Sequence, residues 1–170
     1  MHRLVRWFWL WVKKGKLDWV SKIVELAVLD RLSNETREVW FCPVGLWKSW
    51  DGISLSRQHS CEVKFDSRAR DTMNIFLECR YRGENSGLWK TEASSWCHVV
   101  PVDERRLAVL QFDTVKLKEA VRRLPLIRGG DYNASQGVLL PLPVAERLAE
   151  RRFTLEIPWQ DFRPYWKADA

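Results

Sequence analysis

Residues 50–66 read WDGISLSRQHSCEVKFD, and this stretch decides the fold. The segments 53–55 and 60–65 have the alternation of half-buried β-strands, and the polar residues 56–59 separate them. The pattern predicts an antiparallel hairpin in the middle of an α/β domain.

The remaining elements follow outward from this hairpin, by the spacing of their apolar residues. Ser21 and Asp113 are the expected helix caps. We expect one α/β domain over 19–170, in which an N-terminal helix precedes a mixed β-sheet flanked by helices. Helices are predicted at 20–32, 91–95, 114–123 and 143–151, strands at 38–42, 74–81, 96–102 and 107–111, and loops at 66–73, 82–90 and 128–137, the first with at most one helical turn.

The composition is that of a globular chain, with 170 residues, 46% hydrophobic and 29% charged. The formal charge of +6 does not establish a nucleic-acid binder, because residues 1–16 contain five basic residues and no acid. Without them the chain is nearly balanced in charge. No apolar run approaches the roughly 20 residues that span a bilayer, so a membrane partner is not expected.

Residues 1–18 form a Trp-rich, basic extension whose role the sequence leaves open. Such a segment is typical of a docking or self-association helix, of a membrane-surface anchor, or of a terminal element packed on the protein's own core. The Trp-rich C-terminal tail is expected to pack on the body of the domain.

The cysteines Cys42, Cys61, Cys79 and Cys97 are far apart and form no CxxC pair. They are expected to be free, buried thiols, and no signal peptide with a small-residue cleavage site is visible. Both features favour a reducing, intracellular location such as the cytoplasm.

The hairpin contains the residues that suggest chemistry. Side chains alternate between the faces of a strand, so Glu62 and Lys64 project to the same side while Val63 points into the core. If Asp51 lies beside them, two carboxylates and the Val63 carbonyl converge next to an ammonium group. Mg²⁺ prefers such oxygen ligands, and a lysine beside it can stabilise charge in phosphodiester hydrolysis.

A surface ion pair between Glu62 and Lys64 is the alternative explanation of the same spacing. Lys64 is the only lysine of the chain with an acidic residue two positions before it. Spacing alone does not decide between an ion pair and a metal site.

A helical acid, then an Asp, then Glu-x-Lys on the following strand resembles the PD-(D/E)XK nuclease superfamily, which has the restriction-endonuclease-like fold. Glu25, Asp51, Glu62 and Lys64 carry this resemblance. Over roughly residues 20–142, the stretches EVKFD, MNIFLECR, NSGLWKTEASSWCHV and GGDYNASQGVLLPL resemble phage-encoded members related to Holliday-junction resolvases.

The resemblance implies a role for each matched residue. Asp51 and Glu62 would bind Mg²⁺ or Mn²⁺ together with the Val63 carbonyl, and Lys64 would be the catalytic lysine. Glu25 would support the metal site directly or through water, the alternative being a solvent-facing helix acid.

Two positions depart from the family pattern. Trp50 stands where the motif name has Pro, and Ser95 stands where an acid is expected. His59 and His98 have no evident partner in the sequence, so we expect a polar surface or core role for each.

Further candidates lie after the hairpin. Glu78 is either another metal-site acid or, as we favour, an ion-pair partner of Arg80. The loop at 129–133 is expected to be structural or to position substrate. Basic and hydroxyl side chains around a predicted helix start could bind DNA phosphates, the alternative being solvated surface residues: Arg80, Arg82, Ser86, Lys90 and Thr91.

The function implied by the resemblance is a Mg²⁺-dependent endonuclease acting on branched or structured DNA, and its phage-encoded relatives imply a host cell as the place of action. Two cuts in a two-fold junction need two related sites, so a homodimer is expected, with residues 4–12 in its interface. A restriction-type endonuclease or exonuclease on the same core stays open, as does a non-catalytic nucleic-acid-binding protein.

Overall fold

The computed structural model describes residues 19–42, 49–56, 58–129 and 133–157. The N-terminal extension, its expected role in a dimer, the C-terminal tail and most of the GGDYN loop lie outside these residues. The helices are α1 (Trp19–Thr36), α2 (Ala69–Thr72), α3 (Gly87–Lys90), α4 (Thr114–Val121) and α5 (Leu142–Leu148). The strands are β1 (Trp40–Phe41), β2 (Gly52–Ser54), β3 (Ser60–Phe65), β4 (Asn74–Tyr81), β5 (Glu84–Asn85), β6 (Ser95–Pro101), β7 (Arg106–Asp113), β8 (Ile127–Gly129), β9 (Ser135–Pro141) and β10 (Arg151–Glu156).

The strands form two sheets. Sheet A has the order β1-β2-β3-β6-β7-β10 and is mixed, since β3 and β6 are parallel and its other pairs are antiparallel. Sheet B has the order β5-β4-β9-β8 and is antiparallel. The α/β class, the leading helix and the mixed sheet are therefore confirmed. The prediction of one sheet is wrong, because β4 pairs with the distant β9 instead of joining β3.

Sheet A is covered on both faces, so its central strand β6 is buried along most of its length. One face packs on α1, whose inward residues recur every four positions, which is the helical spacing. The other face packs on sheet B. The first core includes Val20, Val24, Val28, Leu32, Val63 and Val99; the second includes Ile75, Leu77, Trp96, Leu110, Phe112 and Val138.

The predicted helix 20–32 is confirmed as α1, and it ends where Arg37 takes a left-handed backbone conformation with φ 56°. Ser21 lies inside this helix rather than before it, so it is not the cap that we expected. Asp113 does cap α4, since its carboxylate accepts a hydrogen bond from the Lys116 N–H at 2.9 Å.

A group of serines joins β3 to β6 at their first residues, and we call it the serine clasp: Ser60, Ser94 and Ser95. Ser60 N–H donates to Ser94 Oγ at 2.9 Å, and Ser94 N–H donates to Ser60 Oγ at 3.0 Å. The Ser94 and Ser95 hydroxyls both donate to the Ser60 carbonyl. The resulting register sets Glu62 beside Trp96.

Several local predictions are wrong, two of them where a short hairpin forms in a predicted loop. Residues 82–90, predicted as a loop, contain β5 and α3, while the predicted helix 91–95 is not formed. The predicted loop 128–137 contains the end of β8 and the start of β9. The predicted helix 143–151 ends at Leu148, after which β10 pairs with β7.

All four cysteines are free, and Cys61, Cys79 and Cys97 are buried as expected, whereas Cys42 is half-buried. Among the helices that the structure describes, none has the length and apolar character needed to cross a membrane.

Candidate active site

Asp51 stands at the start of the hairpin, held against β3 by two hydrogen bonds. Its N–H donates to the Cys61 carbonyl at 2.9 Å, and its carboxylate accepts the Val63 N–H at 2.8 Å. The N–H and C=O of one strand residue point to the same edge, so the Val63 carbonyl is directed toward this edge as well. A side chain on the next residue, Gly52, would collide with α1, since a Cβ there would lie 2.2 Å from Leu29 Cδ2.

Glu62 and Lys64 project from β3 to the face opposite Val63, which packs in the α1 core. Lys64 Nζ lies 2.5 Å from Glu62 Oε1. The Glu62 side chain is 11% exposed and the Lys64 side chain 41%, so the acid is the more enclosed member of the pair. The hairpin thus brings together Asp51, Glu62 and Lys64, as the sequence predicted.

Glu25 belongs to the same electrostatic cluster. Its side chain is 16% exposed and pairs with Lys22 at 2.5 Å, so it is not a solvent-facing acid. Burial and the negative charge of Asp51 raise the pKa of Glu25, although Lys22 and Lys64 oppose this. An acid on α1 therefore interacts with residues of the hairpin.

The cluster holds an excess of negative charge. Burial raises the pKa of Glu62, the charge of Asp51 raises it further, and Lys64 opposes the shift. Burial alone would lower the pKa of Lys64, but the surrounding charges of Glu62, Asp51 and Glu25 raise it. Lys64 is therefore protonated at neutral pH, and additional positive charge would stabilise the acids.

Thr91 is a member of this site whose role the sequence did not reveal. We had expected Thr91 near a helix start, on a surface that DNA phosphates reach. It instead follows the end of α3 directly and is buried, so that prediction is wrong. Its Oγ1 lies 3.1 Å from the Ser49 carbonyl and 3.5 Å from Glu62 Oε2, and it accepts the Ala93 N–H at 3.2 Å. The shorter distance identifies Ser49 as the main acceptor, with Glu62 at the outer limit of hydrogen bonding.

The other proposed DNA-binding residues lie outside the acid cluster. Arg80, Arg82 and Lys90 are exposed, and the Arg82 guanidinium carbon lies 5.3 Å from the centre of the Tyr81 ring. Ser86 precedes α3 but its side chain does not cap that four-residue helix. Exposure alone does not test whether Arg80, Arg82 and Lys90 contact DNA phosphates, so those contacts stay a prediction.

Glu78 is bound by hydroxyl groups. Ser86 Oγ and Ser135 Oγ both donate to its carboxylate, the latter at 2.5 Å. Within the residues that the structure describes, Glu78 forms no ion pair with Arg80, so the favoured interpretation is wrong. The serine hydroxyls take the place of Arg80 at the Glu78 carboxylate because pairing of β4 with β9 brings Ser135 close to Glu78.

His98 has one of the two roles that we expected, a core histidine, and it has partners that the sequence did not reveal. It is buried beside Lys64 in the β3–β6 register. The indole Nε1 of Trp96 donates to His98 Nδ1 at 3.3 Å, and His98 Nε2 lies 3.7 Å from Asp66 Oδ2. Burial works to raise the pKa of Asp66, but His98 and the N–H groups of Phe76 and Arg68 lower it overall. Asp66 thereby ties the end of β3 to the start of β4.

The donor set fits a hard divalent cation. In the part of the chain that the structure describes, no three His, Cys, Asp or Glu side chains form a ready-made metal site. Mg²⁺ commonly needs only one or two carboxylates, with waters and substrate phosphate completing its shell. Asp51 and Glu62 would supply these and the Val63 carbonyl a third oxygen, and a cation would stabilise the charge that burial disfavours on Glu62.

Comparison with protein-family models, with curated proteins and with solved structures finds no match for this chain. Its function has therefore to be inferred from the residues of the site.

Proposed function

We propose that this protein is a Mg²⁺- or Mn²⁺-dependent endonuclease that hydrolyses phosphodiester bonds in DNA. The supporting observation is the contact of the Asp51 carboxylate with the Val63 N–H, directly beside the Glu62–Lys64 pair. The negative charge of Glu25 also raises the pKa of Lys64. These are the residues on which the resemblance to the PD-(D/E)XK superfamily depends.

The order of elements supports a restriction-endonuclease-like core. A helix bearing an acid is followed by an antiparallel hairpin bearing Asp and Glu-x-Lys, and then by β6 parallel to the second strand of that hairpin. We extend the proposal to branched or structured DNA and to a homodimer, because a symmetric junction presents two equivalent strands to cut.

Each residue has a chemical task in this proposal. Asp51, Glu62 and the Val63 carbonyl would hold the ion, which would supply positive charge beside the phosphate and lower the pKa of water. The Lys64 ammonium group, paired with Glu62, would neutralise charge that develops on the phosphate oxygens. Thr91 and Glu25 position these groups without contacting the reacting atoms.

The decisive test uses labelled four-way junction, linear duplex and single-stranded DNA, each with Mg²⁺ or with EDTA. Wild-type protein should cut only with Mg²⁺, and Lys64→Ala or Glu62→Gln should slow cutting by about 10²- to 10³-fold or more while DNA binding persists. Lys116→Ala is the matched control, since Lys116 forms a surface pair with Glu150.

Survival of Mg²⁺-dependent cutting in both site variants would show that the site is wrongly assigned. Preferred cutting within linear duplex would point to a restriction-type enzyme, and release of single nucleotides from ends to an exonuclease. Binding without cutting under any condition would leave only a non-catalytic DNA-binding role.

A further inference from the structure

A second feature of the surface lies between α3 and α4. It is a cleft with a volume of about 360 Å³, lined by Trp89, Val115, Lys118, Glu119 and Arg122. Its walls are mostly apolar, and Val115 is 64% exposed there. Trp89 and Val115 thus supply apolar parts of the lining, and Lys118 and Arg122 are its two basic residues.

The cleft is connected to the candidate active site through Thr91, by one hydrogen bond and one longer contact. Lys118 Nζ donates a hydrogen bond to the Thr91 carbonyl at 2.9 Å. The hydroxyl of the same threonine lies 3.5 Å from Glu62 Oε2. The cleft and the acid cluster are therefore joined through a single residue, Thr91.

The charge of the cleft suits an anion. Lys116, on the same helix, is compensated by Glu150 at 2.6 Å. Arg122 takes part in no ion pair among the residues of the described ranges, and Glu119 is the one acid in the lining. A flat apolar surface with a free guanidinium group complements a nucleotide, whose base stacks on aromatic rings and whose phosphate binds arginine.

We propose that this cleft receives one unpaired nucleotide of the DNA, with its base stacked on Trp89 and its phosphate at Arg122 and Lys118. The inference depends on the proposed function and adds a criterion for the substrate. A base reaches an indole ring only when it has left the helical stack. The cleft therefore favours DNA with an unpaired nucleotide beside the cut, as at a branch point, over continuous duplex.

The test is binding measured by fluorescence anisotropy in EDTA, with a labelled fork that has unpaired nucleotides at its branch and with a linear duplex of equal length. Trp89→Leu and Arg122→Ala should weaken fork binding roughly 5- to 100-fold, the range for loss of one stacked base, and change duplex binding far less. Arg122→Ala removes one phosphate contact, so the slope of log K for fork binding against log salt concentration should also become shallower by about one.

Two further variants control for indirect effects. Trp89 packs partly against the core, so Trp89→Phe tests whether an aromatic ring restores fork binding in a folded protein. Arg123→Ala removes the neighbouring exposed arginine that does not line the cleft, and it should leave the preference for the fork unchanged.

Equal losses on fork and duplex, or an effect of Arg123→Ala as large as that of Arg122→Ala, would overturn the inference. If cleft variants bind the fork like wild type while cutting still requires Lys64, only the cleft assignment fails. If the cleft variants lose fork binding but wild-type protein never cuts, the cleft stands and the nuclease proposal fails. No binding to either DNA would overturn both.

Discussion

Replacing Thr91 by valine tests how the candidate site is held together. Valine keeps the branched shape of the side chain and removes its hydroxyl group. That hydroxyl donates to the Ser49 carbonyl, accepts the Ala93 N–H and lies near Glu62. The substitution therefore separates three chain segments that meet at one oxygen atom.

The expected loss of stability follows from the one group left without a partner. The Ala93 N–H is buried and loses its acceptor, whereas the Ser49 carbonyl still accepts the Glu92 N–H at 3.1 Å. A buried polar group without its partner costs about 1–3 kcal/mol. We expect Thr91→Val to lower the free energy of unfolding by about 1–3 kcal/mol, or Tm by about 2–12 °C for a domain of this size.

The assay combines urea unfolding with the rate of Mg²⁺-dependent cutting. Ser49 lies two residues before Asp51, so loosening it should also disturb the carboxylate and slow cutting roughly tenfold or more. Thr91→Ser is the matched control, because it keeps the hydroxyl and loses one methyl group, at a cost of about 0.5–1.5 kcal/mol. The reasoning would be refuted if valine were within 0.5 kcal/mol of wild type, or if serine were equally harmful.

Three further results are expected. Mg²⁺ at about 100 times its Kd should stabilise the wild type by about 2.7 kcal/mol in thermal melts, and an equal gain in an Asp51→Asn/Glu62→Gln double variant would locate the ion elsewhere. Burial opposes the shift, but hydrogen bonds lower the pKa of Asp66. The stabilising effect of Asp66 is therefore present above the unfolded pKa and is lost as the pH falls through the lower folded pKa. The difference in unfolding free energy between Asp66→Asn and wild type should narrow as the pH drops below 3.8, and a constant difference would contradict this. Gly137→Ala should cost about 1–3 kcal/mol in urea unfolding, because its Cβ would lie 2.5 Å from a backbone oxygen, and an unchanged midpoint would disprove that contact.

The sequence predicted best where one strand or helix carries its own pattern. In β4, the buried residues Ile75, Leu77 and Cys79 alternate with more exposed ones, so its bounds were predicted correctly. The hairpin likewise places Glu62 and Lys64 on one face by alternation alone. Such features depend on local geometry that each segment reveals in its own residues.

The sequence predicted least where a residue's role depends on distant segments. Asp66 and His98 meet only because β3 and β6 are paired, and Thr91 reaches Glu62 only because α3 turns the chain back toward the hairpin. The sequence of β10 alternates, with Phe153 and Leu155 toward the core, but no local signal states that this strand pairs with β7. The division into two sheets is of the same kind, since no local pattern states which strand pairs with which.

The serine clasp fixes the register of β3 and β6 at their first residues, independently of the turns in the segment that joins them. A shift of one residue in this parallel pairing would exchange Glu62 with its core-facing neighbours, so the alignment has to be fixed by something other than a tight turn. The side chains of Ser60 and Ser94 fix it, although 34 positions separate them. Most of the joining segment belongs to the second core or, at Thr91, to the acid cluster, but the exposed turn at Arg82 and Gly83 belongs to neither. Insertions at that turn are consequently compatible with an unchanged setting of Glu62, which makes it the natural place to engineer new surface contacts.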